Sequence, residues 1–188
     1  MSSPWVASSS NIYFNAGSVG IGSSAPTFKL DVTGSVRATG TITAGLGMRV
    51  PTFYAYLGSA QNLPSSWTKI NLDNVVFDNF GYWSSVNNRW TPLIEGYYQL
   101  TGSIMIQTAA TSATVLAAIA KNGGIVYSGS PIPGNSGGQW IQSYVSGLVY
   151  MNGSGDYVEL RGEGWPANTT LQPAQTYTYM NGFLVSSP

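Results

Sequence analysis

Seven carboxylates make up the acid–base repertoire of this chain: Asp31, Asp73, Asp78, Glu95, Asp156, Glu159 and Glu163. Two carboxyl groups flanking a cleft hydrolyse glycosidic bonds, one as acid and the other as base or nucleophile. Asp73 with Asp78, and Glu159 with Glu163, are the conceivable pairs. The chain has no His and no Cys. That excludes Ser-His-Asp and Cys-His nucleophile systems, thiolate redox chemistry and zinc held by His or Cys. Calcium asks for about six to eight oxygens, several of them acidic, and no loop here carries a run of Asp or Glu. No metal and no cofactor is therefore expected. Gly20-Ile21-Gly22 and Gly162-Glu163-Gly164 lack the strand–loop–helix setting and the Gly-Lys-Ser/Thr of a phosphate loop, so they read as turns and close crossings. Asp78 and Asp156 read as acceptors that orient turns.

Binding chemistry is better represented than catalysis. Trp140 follows Gly137-Gly138-Gln139, and Trp165 stands between Gly164 and Pro166, so both sit near expected loops. Exposed aromatic rings stack on the apolar face of a sugar. The amides of Asn135, Gln139, Asn168 and Gln172 are near enough in sequence to bond its hydroxyls. Trp140, Trp165, Asn135, Gln139 and Asn168 are the candidate glycan or receptor contacts.

These residues sit in an unusual background. Of 188 residues only 7 % are charged, against roughly 25 % in ordinary soluble domains. The net charge is zero, which argues against nucleic-acid binding. With 43 % hydrophobic and 13 % aromatic residues the chain has ample core material, so disorder is not expected. No apolar run approaches the ~18–20 residues of a membrane helix. Met1-Ser2-Ser3-Pro4-Trp5 lacks a basic segment followed by an apolar one, so no signal peptide is expected.

The elements that must position these groups are strands. From Gly96 onward, Tyr98, Leu100, Gly102, Ile104 and Ile106 share one face, while Gln99, Thr101 and Ser103 face the other way, the period of a half-buried strand. Residues 142–151 form another, ended by the turn Asn152-Gly153-Ser154-Gly155. The next covers 157–161, with Val158 and Leu160 inward and Tyr157, Glu159 and Arg161 outward. Residues 177–185 form the last, where Phe183 and Val185 fill the core or a shared axis. The Ala-rich stretch 109–120 lacks a helical period, and its second half reads as a strand ending at the hairpin Lys121-Asn122-Gly123-Gly124. Trp90, just after the turn Val86-Asn87-Asn88, is expected in the core. Many short strands between Gly, Asn and Pro turns indicate an all-β sandwich or jelly roll.

The first fifty residues are richer in Gly, Ser, Thr and Ala, with short alternating pieces at 29–32 and 41–43. They hold too little apolar surface for a monomeric core. Three copies wound together would bury Ile21, Leu30, Val32, Val36 and Ile42.

Two blocks of motifs carry resemblances. Val19-Gly20-Ile21-Gly22, Pro26, Lys29-Leu30-Asp31-Val32, Gly34, Val36-Arg37-Ala38 and Gly40 resemble a segment recurrent in bacteriophage tail fibres, with Ser23 where Thr is usual. In those fibres the segment lies in an intertwined trimeric stalk. Further on come Phe77-Asp78, Gly81-Tyr82-Trp83, Arg89-Trp90-Thr91-Pro92, Gly96-Tyr97-Tyr98, Lys121-Asn122-Gly123, Gly155-Asp156-Tyr157-Val158 and Asn181-Gly182-Phe183-Leu184. Their order and spacing are similar to the complement globular-head and tumour-necrosis-factor-like jelly rolls. That family lends the expectation of a ten-stranded sandwich packed as a homotrimer. The chain departs from it in lacking cysteines and a collagen stem, and its loop 129–138 looks expanded.

Together these imply an attachment segment over 1–14, a trimeric intertwined β stalk over 15–50 and a jelly-roll knob over 51–188. The implied function is a bacteriophage fibre protein located on the virion and binding a glycan or protein receptor on the host surface. Its N-terminal segment would dock on a tail or capsid protein. It is expected to be no enzyme and to insert in no membrane. A capsid decoration or head fibre is the alternative. A polysaccharide depolymerase is less favoured, because phage enzymes of that kind usually have far larger folds.

Overall fold

Period-two alternation runs through most of the chain and becomes strand; no helix occurs among the described residues. The structure is a computed structural model of the chain. It describes residues 5–8, 11–14, 17–40, 49–108, 113–134, 139–166 and 169–187. The chain divides into two units, Met1–Met48 and Arg49–Pro188.

In the first unit, β1 (Trp5–Ser8) and β2 (Asn11–Phe14) form an antiparallel hairpin with Trp5 opposite Phe14. β3 (Val19–Ile21) and β4 (Leu30–Val32) pair in parallel, Val19 opposite Leu30. Two charged residues at and just beyond the end of the intervening loop fasten it. Lys29 Nζ donates to Gly17 O at 3.0 Å, and Asp31 Oδ2 accepts from Thr27 N at 3.0 Å. Gly22 turns at φ +72°, a left-handed conformation that costs glycine little. Ile21, Phe28, Leu30 and Val36 are each more than half exposed. Residues 41–43, with Ile42, lie outside the described residues.

The second unit opens with β5 (Thr52–Tyr56), β6 (Gln61–Leu63), β7 (Thr68–Lys69), β8 (Asn74–Asp78), β9 (Trp83–Ser84) and β10 (Arg89–Trp90). It continues with β11 (Glu95–Thr108), β12 (Thr114–Lys121), β13 (Gly124–Ser128), β14 (Ile132–Pro133) and β15 (Gln139–Asn152). β16 (Val158–Trp165), β17 (Thr169–Leu171) and β18 (Tyr179–Ser186) complete it. In one sheet β15 pairs along the whole of β11, whose other side meets β18 and then β17; β5, β6 and β8 complete that sheet. The other runs β13-β12-β16-β10-β9, with β14 on β12 and β7 on β16. Each sheet counts seven strands, more than the expected ten in total, because two- and three-residue segments such as β7, β9 and β14 attach to the long ones.

The sheets stack as a jelly-roll sandwich around one core. Tyr98, Leu100, Ile104 and Ile106 of β11 are fully buried, as their alternation requires. They meet Val158 and Leu160 of β16 and Val115, Ala117 and Ile119 of β12. Trp90 is fully buried, with Phe53 stacked on it at 4.5 Å and Tyr98 edge-on at 5.1 Å. Burying a side chain of this kind contributes about 1.5–3 kcal/mol. Between facing strands glycine is required by space. A Cβ on Gly162 would stand 2.7 Å from Ile104 Cδ1, and one on Gly102 2.4 Å from Leu160 Cδ1.

One expectation narrows, and one outward side chain is covered by its neighbour. Phe183 and Val185 do not fill this core; they are 47 % and 53 % exposed, because alternation on β18 gives the inward positions to Met180 and Gly182. Glu159 points outward as read, yet it is only 3 % exposed because Arg161 holds it. The hairpin at Lys121-Asn122-Gly123-Gly124 forms as read, with Asn122 and Gly123 both at positive φ.

Candidate functional site

The aspartates accept from the backbone. Asp73 Oδ1 accepts from Gly58 N at 2.6 Å, and Asp78 Oδ2 accepts from Trp83 N at 2.6 Å. Asp156 accepts from Asn152 N at 3.0 Å and Asn122 Nδ2 at 2.7 Å, and pairs with Lys121 Nζ at 2.7 Å. Burial alone would raise its pKa, but the bonds from Lys121, Asn122 and Asn152 outweigh burial and hold it below the usual 3.8. Glu159 is bound to Arg161. No group of three acidic side chains converges as a metal site among the described residues.

Trp140 and Trp165 stand at the same end of the sandwich. Trp140 is opposite Gln107 near the end of β11, and Trp165 is opposite Thr114 at the start of β12. They are 50 % and 53 % exposed. Alternation, however, sets them on opposite outer faces. Their neighbours Ile141 and Gly164 both point into the core, the first from the β11 sheet and the second from the β16 sheet. The two indoles therefore do not share one binding surface. Trp140 packs on Tyr177 with ring centroids 5.5 Å apart. Asn135 and Asn168 lie outside the described residues, as does the side chain of Gln139.

The larger feature is the outer face of the β11 sheet. Cross-strand pairs on it are Tyr97 with Tyr150, Gln99 with Leu148, Thr101 with Ser146, Ser103 with Tyr144, and Gln107 with Trp140. Phe183 and Asn181 continue the rows onto β18, and Thr52 and Tyr54 continue them onto β5. Tyr97 and Tyr150 rings lie 5.5 Å apart, and Tyr54 lies 5.3 Å from Tyr179. Burial raises the Tyr54 and Tyr179 hydroxyl pKa values, with neighbouring tyrosines adding to it. Glu95, at one end, accepts the Tyr150 hydroxyl and raises that pKa too. Between Tyr97 and Gln107, and between Trp140 and Tyr150, there is no charged side chain. Yet Tyr97, Tyr144, Leu148 and Phe183 are each over 40 % exposed.

The outer face of the β16 sheet differs in kind: it carries Lys69, Arg89, Glu159, Arg161 and Glu163. Sequence reasoning singled out neither face. The β11 face was legible as the complement of the core positions. The β16 face was not, because its charges come from strands far apart in sequence.

No protein-family model and no curated protein matches the sequence. Solved structures do match the fold. The chain is similar to murine APRIL at pH 5.0, with a TM-score of 0.57 and 11 % identity over 73 % of this chain and 100 % of that one. It is similar to the globular domain of a zebrafish complement 1qA protein, with a TM-score of 0.53 and 12 % identity over 74 % and 100 % of the two chains. It is similar also to the Eiger TNF of S. frugiperda, with a TM-score of 0.57 and 4 % identity over 74 % and 94 %. The second unit is thus a jelly-roll sandwich of the tumour-necrosis-factor and complement globular-head type.

Proposed function

We propose that this chain is the fibre protein of a bacteriophage, a homotrimer on the virion whose C-terminal knob binds the host-cell surface. The function is binding rather than catalysis. The observation that carries the assembly is the uncharged, aromatic outer face of the β11 sheet. A monomer exposing several large aromatic and aliphatic side chains on one uncharged face invites association, and closure by copies of the same chain covers it without a second gene product. The jelly-roll resemblance implies the same three-fold state. The tail-fibre motif at 19–40 supports the phage assignment, and the exposed Ile21, Phe28, Leu30 and Val36 suit a stalk wound from several chains. Residues 1–14 would dock on a tail or capsid protein. Three sites on one trimer would raise a weak per-site affinity for a surface glycan or protein receptor.

Sedimentation equilibrium tests the assembly: a trimer is expected, and a monomer at micromolar concentration overturns it. Labelled antibody on purified particles tests the location, with signal at the tail expected. Signal confined to the shell replaces the tail fibre with a head fibre, and no signal overturns the virion assignment.

A further inference from the structure

We infer that the outer face of the β16 sheet binds an acidic saccharide through Lys69, Arg89 and Arg161, a strip on the face that carries Trp165 and opposite the one that carries Trp140. This deepens the host-binding reading and rests on it, since it names the ligand class the knob takes.

The starting point is an unfavourable juxtaposition. The chain has only seven basic residues, yet Lys69 of β7 and Arg161 of β16 stand directly opposite each other across neighbouring strands. Like charges in that relation are about 5 Å apart at Cβ and destabilise a sheet. Arg89 joins them, because the register that sets Trp90 opposite Val158 brings Arg89 beside Glu159 on the same face. Glu159 is buried and engaged, its Oε1 lying 2.7 Å from Arg161 Nη2. Neither Lys69 nor Arg89 forms a salt bridge among the described residues. Glu163, one outward position beyond Arg161, closes the strip at its other end. The positive charge therefore gathers toward Lys69 and Arg89.

The strip is also pre-organised. The Arg89 guanidinium lies 4.3 Å from the Tyr157 ring centroid. Stacking fixes its plane and leaves its N–H edge free for bidentate pairing with a carboxylate or sulfate. A Cβ on Gly123 would stand 3.6 Å from the Tyr157 hydroxyl and 3.7 Å from Arg161 Nη2, so both groups reach the hairpin tip. Lys69 Nζ is held by Asn87 O at 2.9 Å. All four side chains are half-buried, so ordering them on binding costs little further entropy. The partner class follows from the chemistry: oxyanions for the cations and hydroxyls for the Tyr157 hydroxyl. The strip is too short and too nearly balanced for nucleic acid, which rewards many cations in series.

The test titrates the full-length protein with heparin oligosaccharide, with polygalacturonate and with neutral dextran, at low and high salt. Binding to a polyanion that weakens with salt, and none to dextran, is expected. Lys69→Gln combined with Arg89→Gln should weaken it about tenfold or more, equal to ~1.4 kcal/mol. Arg49→Gln, a cation outside the strip, should leave it unchanged. Arg161 is kept, because removing it strands Glu159 without its partner. An unchanged thermal unfolding midpoint shows that the double variant folds. Equal binding by dextran, or undiminished binding by the double variant, overturns the inference. Adsorption to host cells is measured beside it. Protein that adsorbs to cells but binds neither polyanion overturns this inference alone, whereas protein that binds a polyanion but fails to adsorb overturns the host-binding reading instead.

Discussion

The Tyr127 hydroxyl donates to the main-chain oxygen of Leu148 at 3.0 Å, from an edge strand of one sheet to the edge strand of the other. Beside it Lys121 Nζ donates to Tyr150 O at 2.8 Å. β15 pairs only with β11 among the described residues, so its outer side would present unpaired carbonyls. Side chains of β12 and β13 answer that hazard. Gly147 makes room for the lid, since a Cβ there would stand 2.4 Å from the Tyr127 ring.

Tyr127→Phe keeps the ring and removes the donor. Urea unfolding should show a loss of about 1 kcal/mol, the usual net value of one hydrogen bond. Gly147→Ala should cost more, because the ring itself must move; an unchanged midpoint for Gly147→Ala counts against the lid.

Asp156 ties the 152–156 turn to the Asn122 hairpin tip. Asp156→Ala should cost about 1–3 kcal/mol by leaving Asn122 Nδ2 and Asn152 N–H unpaired. Its carboxyl is held below 3.8 in the folded protein. Its contribution is therefore full above that value and is lost as pH falls through the lower folded one. Thermal unfolding followed against pH should show a shallower acid decline in Asp156→Asn than in the parent.

Tyr98 gives the opposite limb. Burial, with Tyr82 adding, pushes its hydroxyl from 10.0 up to about 12, and that hydroxyl donates to Ile94 O at 2.7 Å. A raised folded value gives stability that is full below 10.0 and lost as pH rises toward about 12. Tyr98→Phe should be about 1 kcal/mol less stable at neutral pH and should lose stability less steeply on the alkaline side.

Gly102→Ala and Gly162→Ala add a methyl where the facing sheet leaves no room. Each should lose about 1–3 kcal/mol in denaturant unfolding, the range for overpacking. The same substitution at Gly155, where nothing lies within 4 Å of the added carbon, is the control and should shift the midpoint far less.

On the β11 face, Tyr144→Glu or Phe183→Glu places a charge on a surface that has none in its middle. Sedimentation should show the trimer replaced by monomer with the β spectrum of circular dichroism intact. A trimer that survives both substitutions removes this face from the assembly.

Period-two patterning makes the long strands readable from residue order: Tyr98, Leu100, Ile104 and Ile106 are inward because each side-chain step along a strand reverses face. The Asn122-Gly123 hairpin was equally local, since only those residue types tolerate two positive φ values in a row. The seven charges of each sign, and the absence of His and Cys, were likewise fixed by composition and pointed away from nucleophile chemistry. What residue order alone could not supply was which strands lie side by side. Lys69 and Arg161 are 92 positions apart and become neighbours only because β7 docks on β16. Trp140 and Trp165 looked like partners by type and loop setting, yet strand parity and sheet membership part them onto opposite faces. Alternation sets Glu159 outward, but only packing shows that Arg161 covers it there. Alternation is a property of one strand, whereas sites are made by several, so tertiary pairing decided the surfaces.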